Sequence, residues 1–257
     1  MNSPTVTIVS PLFNAERWLP GLIASTSAQI FADFEHLLVD DSSTDGTQQL
    51  AMELTRHDSR FRVLSMPSNS GPAAARKLAI QQARGRFIAF LDADDIWLPE
   101  KLERQTQWMI QRGHALTFHD YRFISEDGQR VGALVQPPEV LDARTLHTRR
   151  GVGCLTVMID RQQVPDFSFP VVSRALPEDH FAWLTVLNKG YLGYRVPEDL
   201  GRYRVFQGSR SGNKFRAAKV MWQMFRDVEK LPLLRSAWWW SQYAWNAYRL
   251  HKRAQPT

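Results

Sequence analysis

Three carboxylates close an apolar run in the stretch Ala89-Phe-Leu-Asp-Ala-Asp-Asp-Ile-Trp-Leu-Pro-Glu-Lys101: Asp92, Asp94 and Asp95. Like charges crowded where a buried strand ends cost free energy unless water, hydrogen bonds or a cation offset them. A hard divalent ion does this best. Oxygen donors suit Mg2+ or Mn2+, and Mg2+ takes one or two protein carboxylates, leaving substrate phosphates and water to complete its shell. The three acids are thus candidates to hold a cation that in turn holds a diphosphate. The competing reading is helix capping, with Asp94 or Asp95 at the start of a helix entered at 96–99 and Pro99 in its first turn. One cap does not need three acids, and the two roles are compatible.

Other polar clusters share this setting. Asp40-Asp41-Ser42-Ser43-Thr44-Asp45-Gly46-Thr47 follows a second apolar run. It reads as turn chemistry with Ser43 or Thr44 as an N-cap, or as an acid placed to accept from a base edge or a ribose hydroxyl. Asn69-Ser70-Gly71-Pro72 opens a helix and offers backbone N–H groups to an anion, with Arg76 one turn further on. Neither G-x-G-x-x-G nor G-x-x-x-x-G-K-[ST] occurs, which disfavours a Rossmann dinucleotide site or a P-loop. Glu178-Asp179-His180 follows Pro177, where acids complement a helix dipole.

These clusters need strands to carry them. Apolar runs at 5–10, 34–39, 62–65 and 87–91 alternate with helical patterns at 15–27, 47–56 and 72–83. Unalternating apolar strands separated by helices predict a parallel sheet covered on both faces, and in such open sheets ligands sit beyond the carboxyl ends of the strands. Ser10-Pro11-Leu12-Phe13-Asn14 ends the first run, so four loops converge on one rim. Past about residue 113 the apolar pieces shorten (115–121, 154–159), which predicts a mixed-sheet extension followed by helices at 178–187, 214–230 and 233–253.

The 257 residues are 44% hydrophobic and 23% charged, enough to bury a core. The lone Cys154 excludes an internal disulfide, no secretory leader is legible after Met1, and no uncharged apolar stretch is long enough to span a bilayer. A cytoplasmic protein is the expectation. Charge is divided unevenly: residues 1–200 carry 20 Lys+Arg against 24 Asp+Glu, a formal −4, whereas residues 201–257 carry 12 against 2, a formal +10.

SPLFN, VDDSSTDGT, NSGPAAAR, FLDADD and PEDHFAWL followed by GRYRVFQGSRS, in that order, resemble the signature of glycosyltransferase family 2, over residues 5 to about 212. The resemblance implies a GT-A fold, related to the Rossmann fold, and metal-dependent, inverting transfer of a sugar from a nucleotide donor, UDP-linked. It implies that Pro11, Phe13, Asn14 and Asp41 contact the nucleotide, with Arg76 near the same pocket. Asp92 and Asp94 are similar to the family's D-x-D pair, Asp94 for the metal and Asp92 for the ribose or metal, with Asp95 orienting the loop or contacting donor or acceptor. Asp179 falls where the family keeps its general base, which inversion requires to take the acceptor's proton. The implied division is a catalytic domain at 1–212, with a nucleotide-sugar half at 1–112 and an acceptor half at 113–212, and a tail at 213–257.

His119 and Asp120 could border the acceptor site, though a hydrogen-bonded strand-end histidine is the commoner case. Arg202, Arg204, Ser209 and Arg210 could screen a diphosphate or form a solvated basic face. The tail places Phe215, Trp222 and Phe225 opposite Arg216, Lys219 and Arg226, then gathers Trp238, Trp239, Trp240, Tyr243, Trp245 and Tyr248 before Arg249-Leu-His-Lys-Arg253. Indole and phenol with nearby cations predict a helix lying on the inner face of the cytoplasmic membrane, near a lipid-linked acceptor; packing on protein is the alternative. Nucleic acid is not expected, since no recognised binding motif accompanies the basic tail. A metal-dependent nucleotidyl or phosphoryl transferase would want a basic phosphate loop that Ser10–Asn14 lacks, and the intact acid set argues against a non-catalytic saccharide or nucleotide binder.

Overall fold

A computed structural model describes residues 3–149, 151–170, 176–206 and 214–254; the side chains at 214–217 and 250–254 lie outside the described set. The first half is built as its hydrophobic pattern predicts: β1 (Val6–Leu12), α1 (Leu19–Ser27), β2 (Phe34–Asp40), α2 (Thr47–Thr55), β3 (Phe61–Ser65), α3 (Pro72–Gln82) and β4 (Phe87–Phe90). β1 pairs in parallel with β2 and β4, and β2 with β3. Every residue of β2 and β4 is buried, as strands covered on both faces must be. Pro11 is tolerated inside β1 for a local reason. Thr5 and Val9 turn their carbonyls toward β4, so by the two-residue alternation the missing Pro11 amide faces that side, beyond Val9↔Phe90 where pairing has ended.

The second half supplies β5 (Ile96–Trp97), α4 (Lys101–Arg112), β6 (Leu116–Ile124), β7 (Val131–Val135), β8 (Val140–Leu141), α5 (Ala143–Thr148), a 3-10 turn at Cys154–Thr156, β9 (Met158–Asp160), α6 (Glu178–Leu187) and β10 (Gly193–Arg204). The sheet order is β3-β2-β1-β4-β9-β6-β10-β5, with β7 beside β6 and β8 beside β10. β9 runs antiparallel to both β4 and β6, whereas β10 runs parallel to β6, which is the expected mixed extension.

Two local expectations are corrected. Residues 96–99 do not enter a helix. Ile96 and Trp97 pair antiparallel with Arg202 and Gly201, the Leu98 amide donates to Leu200 O, and the Trp97 indole donates to Leu155 O, so α4 begins only at Lys101, after Pro99. Likewise α1 begins at Leu19 rather than at 15, because Asn14 is left-handed (φ 49°) and the Ala15 amide is held by Thr47 Oγ1 at 2.8 Å.

The tail forms α7 (Lys214–Gln223), a π-helical turn at Met224–Val228 and α8 (Leu233–Ala254), turned at Lys230 (φ 51°) ahead of Pro232. It packs on protein along one face. Met221, Met224, Phe225, Trp239 and Tyr243 form a buried cluster with Phe181 of α6, and Asn246 Nδ2 donates to Thr148 O at the end of α5 (2.9 Å). The other face is open: Leu234 (86%), Trp238 (62%), Trp245 (60%) and Tyr248 (59%) are solvent-exposed, spaced so that they share one side of the helix. No helix of the described residues is long and apolar enough to cross a membrane.

Candidate active site

The carboxyl ends of β1 and β2 are laced together before any ligand is considered. The Asn14 amide donates to Ser43 Oγ, and Asn14 Oδ1 accepts from the Thr44 amide (3.0 and 2.9 Å). Glu16 receives the Gly46 amide, while Asp45 Oδ1 accepts from the Thr47 amide at the first turn of α2, a task expected of Ser43 or Thr44. Asn14 is thereby fixed in the left-handed conformation, and Phe13 is left 49% exposed on the rim beside Pro11.

Asp41 is buried, and both its oxygens are used. Oδ1 accepts from the Ser70 amide and Oδ2 from the Gly71 amide, each at 2.7 Å. The expectation that the Asn69–Pro72 turn keeps these N–H groups for an external anion is therefore corrected: the anion they bind is Asp41. Gly71 has φ 91°, which a side chain would strain, and this lets the chain turn its amide back to β2 just before Pro72 starts α3. Two lone pairs remain on the Asp41 carboxylate, enough to accept from a base edge or ribose hydroxyl at the rim.

At the end of β4 the three acids have separate surroundings. Asp95 is buried. It receives the Arg204 amide on Oδ1 at 2.9 Å, and its own amide donates to Asp92 O. It caps no helix. Its carboxyl is pushed well up by burial, then by Asp94 and Asp92. Asp94 is half-buried and pushed up to about 6 by burial and by Asp92, with Arg204 and Arg76 pulling it only partly back. Arg204 does not face an external diphosphate. Its guanidinium is taken by the carbonyls of Asp94, Ser125 and Glu126 and lies over the Trp18 ring, while Arg202 pairs with Asp199. Ser209 and Arg210 lie outside the described residues.

Arg76, expected near the nucleotide, is 3% exposed and links two loops. Nη2 contacts Asp92 Oδ1, and Nη1 reaches Glu178 Oε1 at 3.0 Å, with Phe169 beneath the guanidinium. Glu178 opens α6, so one guanidinium joins the acidic loop after β4 to the helix that carries Asp179. Nothing in the sequence marked Glu178 for this part. Asp179 follows in the first turn, half-buried, its Oδ1 accepting the His180 amide at 2.8 Å. Burial, then Glu178, pushes its carboxyl up to about 6, against the pull of Arg76. A carboxylate so placed is ionised at neutral pH, yet basic enough to take a proton. Cys154, the chain's one thiol, is buried in the field of this group; burial and the acids Asp92, Asp179 and Glu178 raise it well above its usual range, opposed by Arg76. His119 and Asp120 stay in the sheet, His119 bonding Asp120 O through Nδ1 at 2.7 Å.

A divalent cation fits this donor set on one specific ground. Asp94 carries negative charge that its arginine neighbours do not cancel, and Asp92 has only Oδ1 committed to Arg76. Among the described residues no three His, Cys, Asp or Glu side chains converge as a metal cluster.

Residues 7–159 match Glycosyl transferase family 2. The chain is 36% identical over 246 residues to the Bacillus subtilis protein TuaG, which carries the name of a teichuronic acid biosynthesis glycosyltransferase, covering 96% of this chain and 97% of that one. It is 36% identical over 236 residues to the Escherichia coli UDP-Glc:alpha-D-GlcNAc-diphosphoundecaprenol beta-1,3-glucosyltransferase WfgD, covering 91% and 90%. Its fold is similar to that of the mannosyltransferase PcManGT from Pyrobaculum calidifontis, solved with GDP-Man and Mn2+: TM-score 0.68 at 15% identity, over 98% of this chain and 76% of that one. The architecture is the GT-A fold, and the chain belongs to glycosyl transferase family 2, a family of sugar-transferring enzymes.

Proposed function

We propose that this enzyme transfers a sugar, with inversion, from a UDP-linked donor to a lipid-linked saccharide in the assembly of a bacterial surface polysaccharide. The observation that carries this reading is the Arg76 bridge, which ties the acidic loop after β4 to the first turn of α6, an arrangement that would bring a donor's diphosphate end and a general base within reach of one another. Asp94 would hold the cation, Mg2+ or Mn2+, with Asp92 as second ligand or ribose contact. Once bound, the ion would offset charge on the departing diphosphate. Pro11, Phe13, Asn14 and Asp41 would line the nucleotide pocket. Asp179 would take the acceptor hydroxyl's proton, and Asp95 would hold the loop in shape through the Arg204 amide. The same reading gives residues 1–112 to the donor and 113–212 to the acceptor.

The names of TuaG and WfgD support the polysaccharide context and the lipid-linked acceptor, and that of PcManGT supports a divalent ion. The exposed stripe Leu234, Trp238, Trp245 and Tyr248, on a tail that carries 9 Lys+Arg against 2 Asp+Glu over residues 213–257, a formal +7, suits the headgroup level of an anionic membrane, where such an acceptor resides.

A thermal-shift screen of UDP-, GDP- and dTDP-sugars, each with and without Mn2+, tests the donor assignment. Stabilisation by a UDP-sugar that requires Mn2+ is expected. Equal stabilisation without the ion would remove the metal, and a preference for GDP- or dTDP-sugars would remove the nucleotide.

A further inference from the structure

We propose that His147 and His180 are positioning residues which lock the first turn of α6 to the tail helix, so that the aim of Asp179 depends on α8 being in place. The inference rests on Asp179 being the general base. His180 Nε2 lies 3.2 Å from His147 Nδ1, one nitrogen donating to the other. His147, on α5, is stacked on Trp239 of α8 (centroids 5.0 Å, 22°) and meets the Phe225 edge at 5.4 Å. The next residue of α6, Phe181, enters the same tail cluster, and Asn246 fastens α8 to the end of α5.

Asp179 therefore sits between two clamps: Glu178 is held by Arg76 from α3, and His180 by His147 from the tail side. The His180 amide is also the donor to Asp179 Oδ1, so a shift of residue 180 moves the base directly. Stability alone does not call for imidazoles here. Burial keeps both rings neutral, His180 down at about 3 and His147 at about 4, so the pair contributes one neutral hydrogen bond where two apolar rings would pack at less desolvation cost. What the nitrogens add is direction.

The test separates that role from packing. His147→Phe and His180→Phe keep a ring and remove the bond; His147→Asn keeps a polar group near the Nδ1 position. The donor is whichever of UDP-glucose, UDP-galactose and UDP-N-acetylglucosamine stabilises the full-length protein best with Mn2+, and turnover is read as UDP release. Both Phe variants should lose roughly tenfold to a hundredfold in kcat, the scale of a misplaced catalytic group, with donor KM and melting temperature close to wild type and with His147→Asn recovering most of the rate. Unchanged kcat in the Phe variants, a loss that simply follows melting temperature, or His147→Asn no better than His147→Phe overturns the proposal. Asp179→Asn runs beside them. Normal turnover there removes the base reading itself, whereas a dead Asp179→Asn with an intact His147→Phe removes only the clamp.

Discussion

The sheet buries acids at both ends and treats them in opposite ways. At the amino end of β4 and the start of β2, Glu35 and Asp160 are each 1% exposed and fully provided for. Burial pushes Glu35 up, but the Arg84 amide, Thr7 Oγ1 and the Arg84 guanidinium overcome it, and the net shift is downward; Arg86, Gln163 and the Gln162 amide do the same for Asp160. At the carboxyl ends, Asp94, Asp95 and Asp179 are all raised, because burial and neighbouring acids outweigh a few shared arginines. One residue class thus serves two purposes. Matched acids tie the sheet together, whereas mismatched ones keep charge that their neighbours do not offset, at a cost in stability, and under the proposed function that charge or basicity would serve a substrate.

The contrast can be broken at its functional end first. Asp179→Asn should lower kcat by roughly 10²–10⁴-fold, the usual contribution of a general base, while donor affinity stays within about twofold; steady-state kinetics beside calorimetric titration decides it. In the wild type, kcat should rise with pH through about 6, as the Asp179 proton is lost. A smaller effect is expected from Asp94→Ala, which should weaken Mn2+-dependent donor binding by about tenfold or more, with undiminished affinity removing Asp94 from the metal site.

The matched end should answer in stability. Glu35→Ala removes the acceptor of the Thr7 hydroxyl and the Arg84 amide and should cost about 2–3 kcal/mol in denaturant unfolding, with kcat unchanged. That stabilisation belongs to pH values above the unfolded carboxyl range and is lost as acid protonates Glu35, its folded value being the lower one. Asp94 has the opposite sign. Its folded value, about 6, exceeds the usual 3.8, so wild-type stability should fall as pH rises from about 4 to 6. Asp94→Asn should escape that fall and be more stable than wild type by roughly 1–2 kcal/mol at pH 8 but not at pH 4. Equal stability at both pH values would mean that the charge at Asp94 is already compensated.

How legible all this was depended on sequence distance. β1 to β4 and α2, α3 and α6 follow from local hydrophobic period and helix-start chemistry, so they stand within a residue or two of expectation. β5 was misread because Asp-Asp before a proline imitates a helix start, while its actual partner, β10, lies about a hundred residues on. The register of β10 is itself interrupted between Val196 and Gly201, which hides its period. The acids of the rim could be listed from the chain alone. Their relations could not: Arg76 meets Asp92 at a separation of 16 residues and Glu178 at 102, and the donors to Asp41 come from 29 and 30 residues away. The tail's aromatic residues were visible, but only the packed helix divides them into an inner set around Trp239 and Tyr243 and an outer set around Trp238 and Trp245.

Cys154 gives the molecule a built-in reporter. It is the sole sulfhydryl, buried in the field of Arg76, which joins the loop after β4 to the first turn of α6. A thiol-reactive dye can modify it only during excursions in which that junction parts, so labelling rates with and without bound nucleotide would time how often the loop after β4 and α6 separate.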